Sequence, residues 1–192
     1  MIPIDDVINE LGTDALALLP DFPSLPSRPG IYAIHADGRA LEELKVDRWT
    51  SVGRPVYVGK SETSLGQRDI GTHFSDGKTG SSTLRRSLAA LLSSQLGLSG
   101  QPRNHRRPGH FSNFGLSPEH DLRLTNWMRE HLSIATWVGD ARAPLGDVEA
   151  SVLANWNPVL NLTKVTHQNV DRLRAERAVL AEQARRWTPS TG

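Results

Sequence analysis

The chain contains no cysteine in 192 residues, which excludes a disulfide scaffold and every cysteine-ligated zinc site. That composition is compatible with a reducing cytoplasm, the expected location. It also lacks an apolar run long enough to cross a bilayer. The opening residues "MIPIDDVINE" do not follow the basic-then-apolar plan of a signal peptide. A soluble chain with no membrane attachment is expected. Tyrosine is nearly absent: there are two, Tyr32 and Tyr57. Acidic residues are missing from one long stretch. Residues 77–118 hold six Lys/Arg and no Asp or Glu, whereas residues 1–56 hold nine acids against five bases. A formal charge of +1 therefore conceals a basic segment of the kind that phosphate binding uses, since each neutralised phosphate releases counterions. A solvated basic helix and loop would have the same composition.

What is present reads as alternating strands and helices. Helix-like apolar spacing runs over 4–18, interrupted at Gly12, and is followed by the proline-rich "LPDFPSLPSRPG", which cannot be helical. "GIYAIHA" and "PVYVGKS" read as strands, with a short helix between them in "RALEELKVDRW" and another helix opening in "SLGQRDIGTHF". Residues 81–98 form an amphipathic pattern through Leu84, Leu88, Leu91 and Leu92. "LSIATWV" is a third strand and "PLGDVEASVLANW" a helix that ends before Asn157-Pro158. A charged helix over 167–187 precedes a tail, "TPSTG", that is expected to be disordered. The expected fold class is α+β: a small antiparallel three-stranded sheet covered by helices, with helical N- and C-terminal additions. The expected organisation is an N-terminal helix and linker (1–28), a central domain (29–163) with a basic insertion at about 77–118, and a C-terminal helix and tail (164–192).

"GIY" at 30–32 and "YVG" at 57–59 are followed in order by Arg68 and His73, by Glu149 in "GDVEASVLANW" and by Asn161 in "NPVLN". This ordered series resembles the GIY-YIG nuclease superfamily over residues 29–163. The 24 residues between the tripeptides exceed the tight hairpin of many members, and His73 stands five residues after Arg68 where many members place a His or Tyr at four. The resemblance implies a metal-dependent endonuclease that hydrolyses DNA phosphodiester bonds, with a role in restriction or defence. The same chemistry would serve a nuclease for branched DNA in repair or recombination, and a catalytically silent nucleic-acid-binding protein could keep the fold. It implies Glu149 as ligand of a single Mg²⁺ or Mn²⁺, Tyr32 as base or proton relay, and Tyr57 as its support.

The residue types suit those roles. Hydrolysis of a phosphodiester needs a deprotonated water, neutralised phosphate charge and a protonated leaving oxygen. A carboxylate offers the oxygen that hard divalent ions take. Arg68 is a permanent forked cation, His73 can exchange a proton near neutral pH, and Asn161 orders the site. Each also has a plainer reading: strand tyrosines pack on sheets, an acid near a helix start answers the helix dipole, and Asn157 serves as a helix terminator. Candidate nucleic-acid contacts are Lys60, Arg85, Arg86, Arg103, Arg106 and Arg107. The cluster His105, His110, Asn113 and His120 superficially resembles an HNH or histidine metal site, but no strand-helix frame with ligand spacing surrounds it. A loop contacting phosphates and base edges is expected there. With one active site per chain, double-strand cutting calls for a homodimer or for sequential nicking.

Overall fold

A computed structural model describes residues 3–13, 15–18, 22–66, 69–139 and 144–188. The chain divides into two compact units, residues 1–71 with 128–170 and residues 72–127 with 171–192. Among the described residues no helix is long and apolar enough to cross a membrane. The tail residues 189–192 lie outside the described residues.

The first unit is built on a mixed α+β frame. Its strands are β1 (Leu16–Ala17), β2 (Gly30–Ala36), β3 (Pro55–Ser61) and β4 (Leu132–Val138), in the antiparallel order β1-β4-β2-β3. The sheet thus has four strands where the sequence predicts three. The extra strand is the two-residue β1, which pairs Leu16 with Ile134 and Ala17 with Ser133. It lies in the later part of the segment 4–18, past the break expected at Gly12; the first helix, α1 (Ile4–Thr13), ends beside that glycine. The carbonyl of Leu11, in its last turn, accepts a 2.8 Å hydrogen bond from His35 Nε2 of β2, which satisfies one of the acceptors left by a helix end. Burial, only partly offset by that hydrogen bond, holds the His35 pKa below its ordinary value.

β2 lies between β3 and β4 and every one of its residues is buried, as a near-continuous apolar run requires. Period-2 alternation divides its side chains. Ile31 and Ala33 join Val58 and Ala135 in a core with Val7 and Leu11 of α1. Val148, Val152 and Leu153 of a later helix, α7 (Leu145–Trp156), complete that layer. Each such aliphatic side chain contributes about 1.5–3 kcal/mol on burial. Tyr32 and Ile34 consequently face the other side of the sheet. The long connection between β2 and β3 holds α2 (Gly38–Glu43), whose N-cap Asp37 accepts from Ala40 N at 2.7 Å.

The second unit contains the end of α3 (Asp69–Phe74), α4 (Thr83–Leu91), α5 (Ser93–Leu96), most of α6 (Pro118–His131) and nearly all of α8 (Asn169–Arg186). The amphipathic pattern read over 81–98 is two helices, broken at Leu92. Ser82 caps α4 by accepting from Arg85 N at 3.0 Å, and Gly97 closes α5 in the left-handed conformation. The basic segment at 77–118 falls within this unit.

Candidate active site

The two tyrosines come from neighbouring strands. Register pairs Tyr32 with Gly59 and Ile34 with Tyr57, so Tyr32, Tyr57 and Gly59 share one face of the sheet. Their ring centroids are 6.3 Å apart and the planes tilt by 34°, within the range of favourable aromatic pairs. Tyr32 is buried and Tyr57 half-buried. The glycine of "YVG" has a direct cause: a Cβ at Gly59 would lie 2.4 Å from Tyr32 Oη and 2.5 Å from Cζ. The hydroxyl end of the Tyr32 ring fills the space a side chain at Gly59 would need. The glycine of "GIY" is equally constrained, because a Cβ at Gly30 would lie 2.1 Å from the carbonyl oxygen of Trp137. Gly59→Ala is therefore expected to cost about 1–3 kcal/mol by overpacking. Tyr32→Ala should recover most of that loss in the double variant. Chemical denaturation of the four proteins checks this, and additive losses would contradict the contact.

On the face opposite the tyrosines, Lys60 follows Gly59 and points with Val58 towards α7. A Cβ at Gly146 of α7 would stand 3.9 Å from Lys60 Nζ. Glu62 hydrogen-bonds this ammonium at 2.5 Å and, with a smaller contribution from Glu149, holds its pKa above the ordinary value. Glu149 sits one turn into α7, its side chain 16% exposed, and Oε2 accepts from Lys164 Nζ at 2.8 Å. Lys164 itself adopts a left-handed backbone, φ 58°. Fifteen residues separate Lys164 from its acid, so no local sequence pattern marks the pair.

Asn161 explains how the edge of the sheet is closed. Its Oδ1 accepts from Val58 N at 3.0 Å and its Nδ2 donates to Val58 O at 2.8 Å, while Leu160 N donates to Val56 O at 2.8 Å. A carboxamide carries one acceptor and one donor group in the spacing of a peptide, so Asn161 pairs with the open edge of β3 as another strand would. Asn157 ends α7 in the left-handed conformation, φ 49°, and its Oδ1 accepts from Thr166 N at 2.8 Å.

The remaining expected residues divide sharply. Arg68 lies outside the described residues. His73 is not at a solvent-facing position: it is 7% exposed, with Nδ1 2.6 Å from Ser82 Oγ. Burial, and then the charges of Arg85 and Arg86, press its pKa down to about 4. It is a neutral imidazole at physiological pH. Because the unfolded chain titrates near 6.5, it binds the proton first as pH falls, and stability is lost between about 6.5 and 4. Wild type should lose about 2 kcal/mol more than His73→Gln between pH 7 and pH 5. Urea titrations at the two values would show it, and parallel losses would contradict it.

Arg85 is also misplaced by the sequence reading. It is fully buried and forms an ion pair with Asp121 Oδ1. It donates to Thr125 Oγ1 at 2.9 Å, to the carbonyl of His73 at 3.1 Å and to Thr79 Oγ1 at 3.2 Å. Arg86 is 7% exposed and donates to the carbonyl of Gly80 at 2.8 Å. Both side chains tie the second unit together and present no face to a phosphate. Arg103, Arg106 and Arg107 are exposed. Of the histidine cluster, His105 stacks on Trp187 at 4.4 Å and His120 Nδ1 accepts from Ser99 N at 3.2 Å.

No group of three or more His, Asp or Glu side chains poised for a metal occurs among the described residues. Glu149, like Glu62 just past β3, offers a hard oxygen donor near the strand end. That donor fits Mg²⁺ or Mn²⁺, which are commonly held by one or two carboxylates together with substrate phosphates. Around the end of β3 the tyrosine pair stands on one face of the sheet, and Lys60 and Glu149 lie on the other; phenol, ammonium and carboxylate are groups able to move protons and balance phosphate charge.

No curated protein and no solved structure matches the chain. The family model of the GIY-YIG catalytic domain matches residues 30–182, from the first residue of β2 to the last turns of α8. With β2 and β3 carrying both tripeptides, and a nuclease-type function thereby indicated, the chain belongs to the GIY-YIG family.

Proposed function

We propose that the chain is a metal-dependent DNA endonuclease that hydrolyses phosphodiester bonds at the end of β3. The observation that carries this reading is the hydroxyl end of Tyr32 set against Gly59, with Tyr57 6.3 Å away and Lys60 next in sequence. Tyr32 takes the proton of the attacking water as its own hydroxyl proton passes on to bulk water, directly or through Tyr57. The water oxygen bonds to phosphorus in line as the bond to the leaving oxygen breaks, and that oxygen takes up a proton from solvent. Lys60, kept protonated by its acidic neighbours, donates to a phosphate oxygen. Arg68 supplies the second cation, in the position that the family pattern gives it. Glu149 would hold the divalent ion, which would supply Lewis-acid neutralisation of the charge developing on phosphate. Asn161 positions the strand that carries Tyr57 and Lys60. Arg103, Arg106 and Arg107, exposed in the acid-free segment, grip the DNA backbone.

The test is incubation of the protein with supercoiled plasmid and with branched duplexes in Mg²⁺, Mn²⁺ or EDTA. Nicked or linear products with either ion, and none in EDTA, are expected. Intact DNA under every condition, with binding retained, would identify a silent binding protein instead.

A further inference from the structure

The second unit contains a polar recess of about 520 Å³, within the roughly 300–1,000 Å³ of small-ligand sites. Its lining includes Lys78, Arg103, Asn104, His105, Arg106 and Asp121. Three lining residues are cations, and the one acid, Asp121, is already neutralised by its buried pair with Arg85. The recess is therefore electropositive, and anions are its natural occupants.

Its walls are built rather than loose. Gln101 and Gly115 exchange backbone hydrogen bonds of 2.9 and 2.8 Å, which close the loop at its base. Asn104 Oδ1 accepts from the backbone N–H of Arg106 at 3.0 Å and of Arg107 at 3.2 Å, fixing the turn that carries Arg106. The aliphatic stem of Arg103 rests on Gly80, where a Cβ would approach Arg103 Cγ to 2.6 Å. His105 is held by stacking on Trp187, the planes 22° apart. A planar ring is thus set beside two guanidinium groups. Cations with an adjacent aromatic plane are the combination that binds a phosphate and stacks its base.

We propose that this recess binds a single nucleotide of a nucleic-acid strand, with its phosphate on Arg103 and Arg106 and its base against His105. The proposal rests on the nuclease reading only for the source of that nucleotide, the substrate strand. The site would contribute to which DNA is bound.

Titration of the full-length chain with the four deoxynucleoside 5′-monophosphates, followed by ¹H–¹⁵N NMR, tests this without any cleavage step. Shifts are expected at Lys78, Ser81 and residues 103–106, with nucleosides and inorganic phosphate each binding at least about tenfold more weakly. Arg106→Glu should weaken the monophosphates by tenfold or more. His105→Ala should reduce their advantage over inorganic phosphate. A short single-stranded oligonucleotide should bind more tightly than the monophosphates. Phosphate binding as tight as the nucleotides, shifts confined to other residues, or unchanged affinity in Arg106→Glu would overturn the proposal. An oligonucleotide no tighter than a monophosphate would overturn the strand as source. Plasmid that stays intact with the wild-type protein would instead count against the nuclease reading, whatever the titration shows.

Discussion

Glu149→Ala is expected to lower DNA cleavage by on the order of 10³-fold or more, equivalent to about 4 kcal/mol of transition-state stabilisation. Glu149 is the acid that the adjoining helix brings towards the strand end, and its removal takes away the oxygen donor proposed for the divalent ion. The same change should leave the fold nearly untouched. Glu149 is 16% exposed and its partner Lys164 49%, and ion pairs reached by solvent contribute about 1 kcal/mol or less. Rate and stability are thereby separable in one variant. Cleavage under single-turnover conditions, DNA binding by filter retention and urea unfolding would be measured together. A variant that cuts at the wild-type rate would remove Glu149 from the chemistry, and one that unfolds would remove it from the surface.

Arg85→Ala is expected to destabilise the protein by about 3–5 kcal/mol, because it leaves Asp121 buried without its cation. Such a loss is a large part of the whole stability of a typical domain. Thr79, Thr125 and the His73 carbonyl would lose their donor as well. Replacing both partners, as in Arg85→Met with Asp121→Leu, should be far milder, since no unpaired charge then remains. Guanidinium denaturation of the single and double variants gives the comparison. Equal destabilisation in both would show that packing around Arg85, and not its charge pairing, sets the cost.

These two sites also mark what could be read from the sequence. β2 and β3 are legible because each is a compact apolar run with a tyrosine beside a glycine. α7 is legible because Pro144 and Asp147 sit at its start and Asn157-Pro158 after it. In both cases the information lies within a dozen residues. Arg85 and Arg86 are misread for the opposite reason. On a local helical pattern they fall between leucines as solvent-facing cations, and only the arrival of Asp121, 36 residues later, turns Arg85 inward. His73 is misread with them, since its low pKa comes from burial and from those same cations. The two-residue β1 is too short to carry a periodic signal and depends wholly on pairing with β4. Lys164 acquires its role through a left-handed turn that brings it back to Glu149. Asn161 was singled out by its place after "NPVL", but its hydrogen bonds to Val58 could come only from the fold.

The most direct test of the hydrolytic centre is cleavage of a defined duplex in H₂¹⁸O with Mg²⁺, followed by mass spectrometry of the new phosphate ends. One ¹⁸O atom in each newly formed terminal phosphate is expected, since the proposed mechanism has water itself attack phosphorus while Tyr32 relays its proton. Unlabelled ends accompanied by a covalent tyrosyl–DNA adduct, or the absence of any cut strand, would contradict that account.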